Sequence, residues 1–84
     1  MEEIRQILLN HPLWNEFTNN YEGRNFLMVN FRGVDFIMFN EVGEHLFVTV
    51  TIESLPLTPE REEMVREFQR TAIELFQNAV NLRR

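Results

Sequence analysis

Residues 26–52 read FLMVNFRGVDFIMFNEVGEHLFVTVTI, and the fold turns on how this stretch divides. Sixteen of its 27 residues are apolar, and most of those are β-branched, aromatic or Met. Such side chains suit a packed, pleated surface better than a helix. Arg32-Gly33 and Val42-Gly43 each offer a glycine able to take positive φ, which is what a tight hairpin connection requires. The stretch therefore predicts a three-stranded antiparallel meander with strands at 26–31, 34–40 and 45–53.

Side chains alternate faces along a strand, so the turns decide which residues share a side. Two-residue turns at both hairpins set Phe31 opposite Val34 and Phe39 opposite Leu46. One face then gathers Phe26, Met28, Ile37, Phe39, Leu46, Val48, Val50 and Ile52. The other gathers Leu27, Val29, Phe31, Val34, Phe36, Met38 and Phe47, with Thr49 and Thr51 at its side. A meander wetted on one side shows a polar face; here both faces are apolar, and both need cover.

On the N-terminal side, Ile4, Ile7 and Leu8 have helical spacing over residues 2–9, with Glu2 and Glu3 placed favourably at the helix start. Pro12 interrupts that helix, and a further turn starting there carries Leu13, Trp14 and Phe17 inward. Asn19-Asn20 and Glu22-Gly23 mark a stop and a loop. On the C-terminal side, Thr58 is a helix cap, Pro59 suits the first helical position, and Glu60, Glu62 and Glu63 complement the dipole. The helix runs from 59 to about 82 with an apolar stripe of Val65, Phe68, Ala72, Leu75, Phe76 and Ala79, flanked by Met64, Ile73 and Val80. Arg83-Arg84 close it with charge of the favourable sign. The expected fold is α+β, a single domain over 1–84 in the order α-β-β-β-α: a three-stranded antiparallel meander, a long C-terminal helix and a shorter, Pro-interrupted N-terminal helix.

Composition narrows the function classes. With 84 residues there is room for one core, and roughly 60% burial leaves a chain of this size marginal. Cysteine is absent and only His11 and His45 are histidine, so disulfides and thiolate zinc sites drop out and oligomerisation remains as the staple. Thirteen acids against eight bases give a net charge of −5, which opposes binding to phosphate backbones, and no nucleic-acid partner is expected. The acidic Met1-Glu2-Glu3 start, the lack of cysteine and apolar runs of at most four residues point to the cytoplasm, with no membrane contact.

No constellation carries catalysis. Ser54 is the lone serine and stands in a Leu-Pro segment without a glycine elbow; Asp35 is the lone aspartate and faces Asn30 across the hairpin. Glu41, Glu44 and His45 cluster at the second hairpin but read as a solvated tip, not a metal site. Three dispersed glycines form no phosphate loop. Along Glu60–Glu74, signs interleave as i,i+3 and i,i+4 pairs (Glu62–Arg66, Glu63–Arg66, Glu67–Arg70, Arg70–Glu74), the pattern of a solvated helix face. Neither a catalytic residue nor a metal or cofactor is expected.

The reading that remains is protein interaction. Two arrangements are open: the N-terminal helix roofs the second sheet face, or both helices share one side and leave that face to a partner. The second is favoured, with the first face under the long helix and Leu27, Val29, Phe31, Val34, Phe36, Met38 and Phe47 offered to a second copy or a client. A helix over 59–82 spans about 36 Å against about 23 Å for a seven-residue strand, so Phe76, Val80 and Leu82 are expected to overhang and want a partner. A homodimer supplies one by symmetry. On this reading Phe36→Glu dissociates the dimer and leaves a folded monomer. The third strand, free of charge and proline from Leu46 to Ile52, is in addition an edge open to a strand from another copy or from an extended peptide. The competing expectation is a small acidic inhibitor or adaptor, for example phage-encoded, that binds a host protein as a monomer.

The order of helix, three-strand meander and long helix, with Leu55-Pro56-Leu57 leading into Thr58-Pro59-Glu60, resembles part of the small acidic secretion chaperones that act as homodimers. The resemblance implies a chaperone-like, client-binding role. The chain lacks the further strands of those chaperones.

Overall fold

In a computed structural model, residues 2–20, 24–41 and 45–82 are described. They form α1 (Glu2–Asn10), α2 (Trp14–Asn19), β1 (Phe26–Phe31), β2 (Val34–Glu41), β3 (His45–Val50), a 3₁₀ turn (Ile52–Ser54) and α3 (Pro59–Leu82). The strands make one antiparallel sheet in the order β1-β2-β3, which is the α+β fold expected. The loop at Glu22-Gly23, the Val42-Gly43 turn and the Arg83-Arg84 close lie outside the described residues.

Local chemistry explains the boundaries. Arg32 and Gly33 both take positive φ (52° and 83°), the backbone of a two-residue hairpin turn whose twist matches the strands. Pro12 breaks α1 from α2, and the His11 imidazole steadies the break by accepting the Leu13 amide at Nδ1 (3.3 Å). Thr58 caps α3: its Oγ1 accepts from the Arg61 amide (3.3 Å) and its carbonyl from the Glu62 amide (2.8 Å).

The second hairpin departs from the sequence reading. Phe39 pairs with Phe47 and Glu41 with His45, so three residues, 42–44, join β2 to β3 instead of two. A shift of one position turns a whole strand over. Leu46, Val48 and Val50 therefore share a face with Leu27, Val29, Phe31, Val34, Phe36 and Met38, while Phe47 and Thr49 join Phe26, Met28, Ile37 and Phe39.

All three helices pack on the former face. One continuous core joins Ile4 and Leu8 of α1, Trp14 and Phe17 of α2, the inner residues of β1 and β2, and Val65, Phe68, Ala72, Phe76 and Val80 of α3. Aromatic pairs tie the layers: Phe68 stacks on Phe36 with ring centroids 3.8 Å apart, and Phe17 meets Phe76 at 5.8 Å. Three polar residues, Asn40, Thr18 and Thr71, are sealed in beside them. Asn40, fully buried, donates to the Asn20 carbonyl (2.9 Å) and accepts from the Asn25 amide (3.4 Å), which fastens the entry into β1 to β2. Thr18 folds its hydroxyl back onto the Trp14 and Asn15 carbonyls.

Among the described residues none of the helix-surface pairs expected along α3 closes to an ion pair, and of their members only Glu74 is bridged, to a partner outside the helix. Glu74 bridges to Arg5 of α1 at 2.9 Å, and Glu3 of α1 reaches Arg32 in the first turn at 2.9 Å. Neither of these exposed pairs adds more than about 1 kcal/mol. Their consequence is geometric, since both hold α1 alongside α3 and the sheet.

Candidate protein-interaction surface

With every helix on one side, the other side of the sheet is open. Phe26, Phe39 and Phe47 pair across β1, β2 and β3 and form a ladder of rings. Phe26 and Phe39 stand 5.9 Å apart at 44°, and Phe39 and Phe47 stack at 5.2 Å and 12°. The next row is Met28, Ile37 and Thr49. Phe26 is 62% exposed, Met28 60% and Phe47 45%, while Ile37 and Phe39 are half-buried by their neighbours.

Polar groups frame these rows. At one end Arg24 reaches Glu41 at 3.6 Å, next to the exposed His45. At the other, Asn30 Nδ2 donates to Asp35 Oδ1 at 2.7 Å. An apolar centre with a polar rim is the composition of a docking patch. Three large side chains of about 200 Å², each roughly half exposed or more, with parts of two others, give an apolar area on the order of 400 Å².

The residues singled out from sequence fall mostly elsewhere. Leu27, Val29, Phe31, Val34, Phe36 and Met38 are no more than 5% exposed and lie beneath the helices as core. The one-residue difference at the second hairpin and the side chosen by the helices together exchange the two faces. Of the sheet residues assigned to a partner, Phe47 alone reaches the open face. Phe76 and Val80 are each 1% exposed. They do not overhang, because α1 and α2 extend the layer on which the end of α3 rests; Leu82 remains exposed beyond it. The sequence places the ladder residues Phe26 and Phe39 on the face expected under the long helix, and only strand pairing and helix placement reveal them as surface.

Other side chains are occupied structurally. Ser54 Oγ accepts the Asp35 amide (3.1 Å) and lies 3.2 Å from Thr51 Oγ, closing the end of the sheet. Glu41 is held by Arg24, and no cluster of acids and histidines suited to a metal ion exists among the described residues; Glu44 lies outside them. A cleft of about 110 Å³ is lined by Leu13, Glu16, Asn25 and Phe26, and the Asn25 side-chain nitrogen, Nδ2, is buried without a hydrogen-bond partner among the described residues. The cleft is smaller than the roughly 300–1,000 Å³ of small-molecule sites. No helix among the described residues is long and apolar enough to cross a membrane.

No protein-family model, curated protein or solved structure matches this chain.

Proposed function

We propose that the chain is a non-catalytic, cytoplasmic protein-interaction module that self-associates through the open face of its sheet. The observation that carries this reading is the exposed ring ladder Phe26–Phe39–Phe47 above Met28 and Ile37. A sheet face exposing this much apolar surface gains free energy when a second face covers it, about 25 cal/mol for each Å² removed from water. Two-fold symmetry supplies an identical face. The absence of cysteine agrees with a reducing compartment. A chaperone-like use of the same face for a client rests on the order of elements alone.

Light scattering after gel filtration tests the reading. At high micromolar concentration the mass is expected to exceed one chain of 10.1 kDa. Phe26→Glu is expected to lower it at unchanged helix content, because the residue is exposed and contributes little to the core. A strict monomer, or one that captures a single stoichiometric partner of another kind, rejects self-association and supports the inhibitor or adaptor.

A further inference from the structure

The two edges of the sheet are not equivalent. The first turn pairs Phe31 with Val34, so even-numbered residues of β2 bond to β1 and odd-numbered ones to β3. The Thr51 amide donating to the Asp35 carbonyl at 3.0 Å agrees. The backbone groups of Leu46, Val48 and Val50 therefore point away from the sheet. At Val48 this is visible, since its carbonyl accepts Gln69 Nε2 of α3 at 3.0 Å. The side chains of these residues face the core and are only half-buried, whereas Leu27, Val29 and Phe31 along the opposite edge are at most 5% exposed. The helices close the core over β1 and leave it incomplete over β3.

We propose that β3 pairs antiparallel with β3 of a second copy of this chain, across a two-fold axis at Val48, merging the two sheets into one. The occupant follows from the register. This axis sets Leu46 against the partner's Val50 and Val48 against the partner's Val48, so that apolar side chains complete each other's burial. On the open side Phe47 meets the partner's Thr49 and His45 meets the partner's Thr51. No like charges meet. The same construction at β1, centred on Met28, drives Arg24 against Arg32 of the other copy at both ends, which is destabilising. The Val48 oxygen keeps a second lone pair for the seam beside its Gln69 contact.

Area points the same way. The open face offers on the order of 400 Å² of apolar surface against about 800 Å² per partner in a standard interface, so a firm assembly needs a further contact. The seam shares with the proposed function only the premise of self-association and uses different atoms. Its two-fold is perpendicular to the sheet, that of a face-to-face contact lies in the sheet plane, and together they close a tetramer of 10.1 kDa chains.

Amide hydrogen exchange on the whole chain tests the seam. The Leu46, Val48 and Val50 amides have no acceptor among the described residues. They are expected to exchange at least about tenfold more slowly at high concentration than after dilution. The outward amides of β1 (Phe26, Met28, Asn30) serve as the control and stay fast throughout. Val48→Lys places like charges across the axis and halves the mass of the assembly. Mixing it with Val48→Glu restores that mass, an effect that mere destabilisation does not produce. Should either variant unfold by circular dichroism, exchange in the unmodified chain decides. Phe26→Glu is expected to leave β3 protected in a seam dimer. β3 amides as fast as the β1 controls at every concentration overturn the seam and leave the face-to-face reading intact. Protected β3 amides together with a mass that Phe26→Glu does not change overturn the face instead.

Discussion

Phe36 offers the sharpest check on which side of the sheet is core. It is fully buried and stacked against Phe68 at 3.8 Å and 14°. Truncating a buried Phe to Ala removes about 3–5 kcal/mol, combining lost transfer free energy with the cavity left behind. The ring pair contributes about 0.5–1.5 kcal/mol beyond area alone, which places Phe36→Ala in the upper part of that range. At roughly 0.05–0.15 kcal/mol per residue, 84 residues provide about 4–13 kcal/mol in total. The variant thus loses a third or more of its stability. Its melting temperature is expected to fall by roughly 16–40 °C, at about 4–8 °C per kcal/mol for a domain of this size. Phe36→Glu adds the desolvation of an unpaired carboxylate, several kcal/mol more, and the chain is expected to be unfolded at pH 7. That outcome reverses the folded monomer expected from sequence alone. Urea titration followed by circular dichroism measures both, with Phe26→Ala as an exposed control losing no more than about 1 kcal/mol. If Phe36→Ala loses less than about 1 kcal/mol, or Phe36→Glu stays folded, the core does not lie on this face.

Three further substitutions probe the frame that holds this face in place. Asn40→Leu keeps the branched shape but strands the Asn20 carbonyl and the Asn25 amide, and urea melts should show a loss of at least about 1–3 kcal/mol. Gly33→Ala meets only ordinary contact, the nearest atom being Arg61 Nη2 at 3.6 Å, so its expected loss of about 1–2 kcal/mol is backbone strain at φ 83°. A neutral result by thermal melt means that the turn relaxes out of the left-handed region. Thr58→Ala removes the α3 cap, and because the bond is long at 3.3 Å the loss should lie near the low end of about 0.5–2 kcal/mol. Unchanged stability in a urea melt would show that the cap is not formed in solution.

Much of the architecture was legible because local chemistry set it. Thr58-Pro59 with the following glutamates marked the start of α3, and its 3.6-residue stripe found Val65, Phe68, Ala72 and Phe76. Arg32-Gly33 forced the first turn, and its two-residue length aligned Asn30 with Asp35 as their hydrogen bond requires. Both sheet faces were recognisable as apolar. The side that stays uncovered was not, because apolar residues alternate on both faces of β1 and β2 and periodicity treats the two alike. In the second hairpin a glycine was compatible with two connection lengths, and choosing the shorter one turned β3 over. Ion pairing failed in a related way: Glu74 had partners available along its own helix, yet Arg5 from the other end of the chain bridges it.

By itself the sequence determined what short-range sterics and periodicity control: element order, the starts of α1 and α3, the first turn and the absence of thiol chemistry. Tertiary structure alone decided the register of β3, the gathering of α1, α2 and α3 on one side, and hence that Phe26, Phe39 and Phe47 are surface while Phe36 and Phe76 are core. The physical reason is that burial is shared among elements distant along the chain. A phenylalanine carries the same hydrophobic free energy on either face of a strand, and only the packing of helices from both ends of the chain decides which face loses its water.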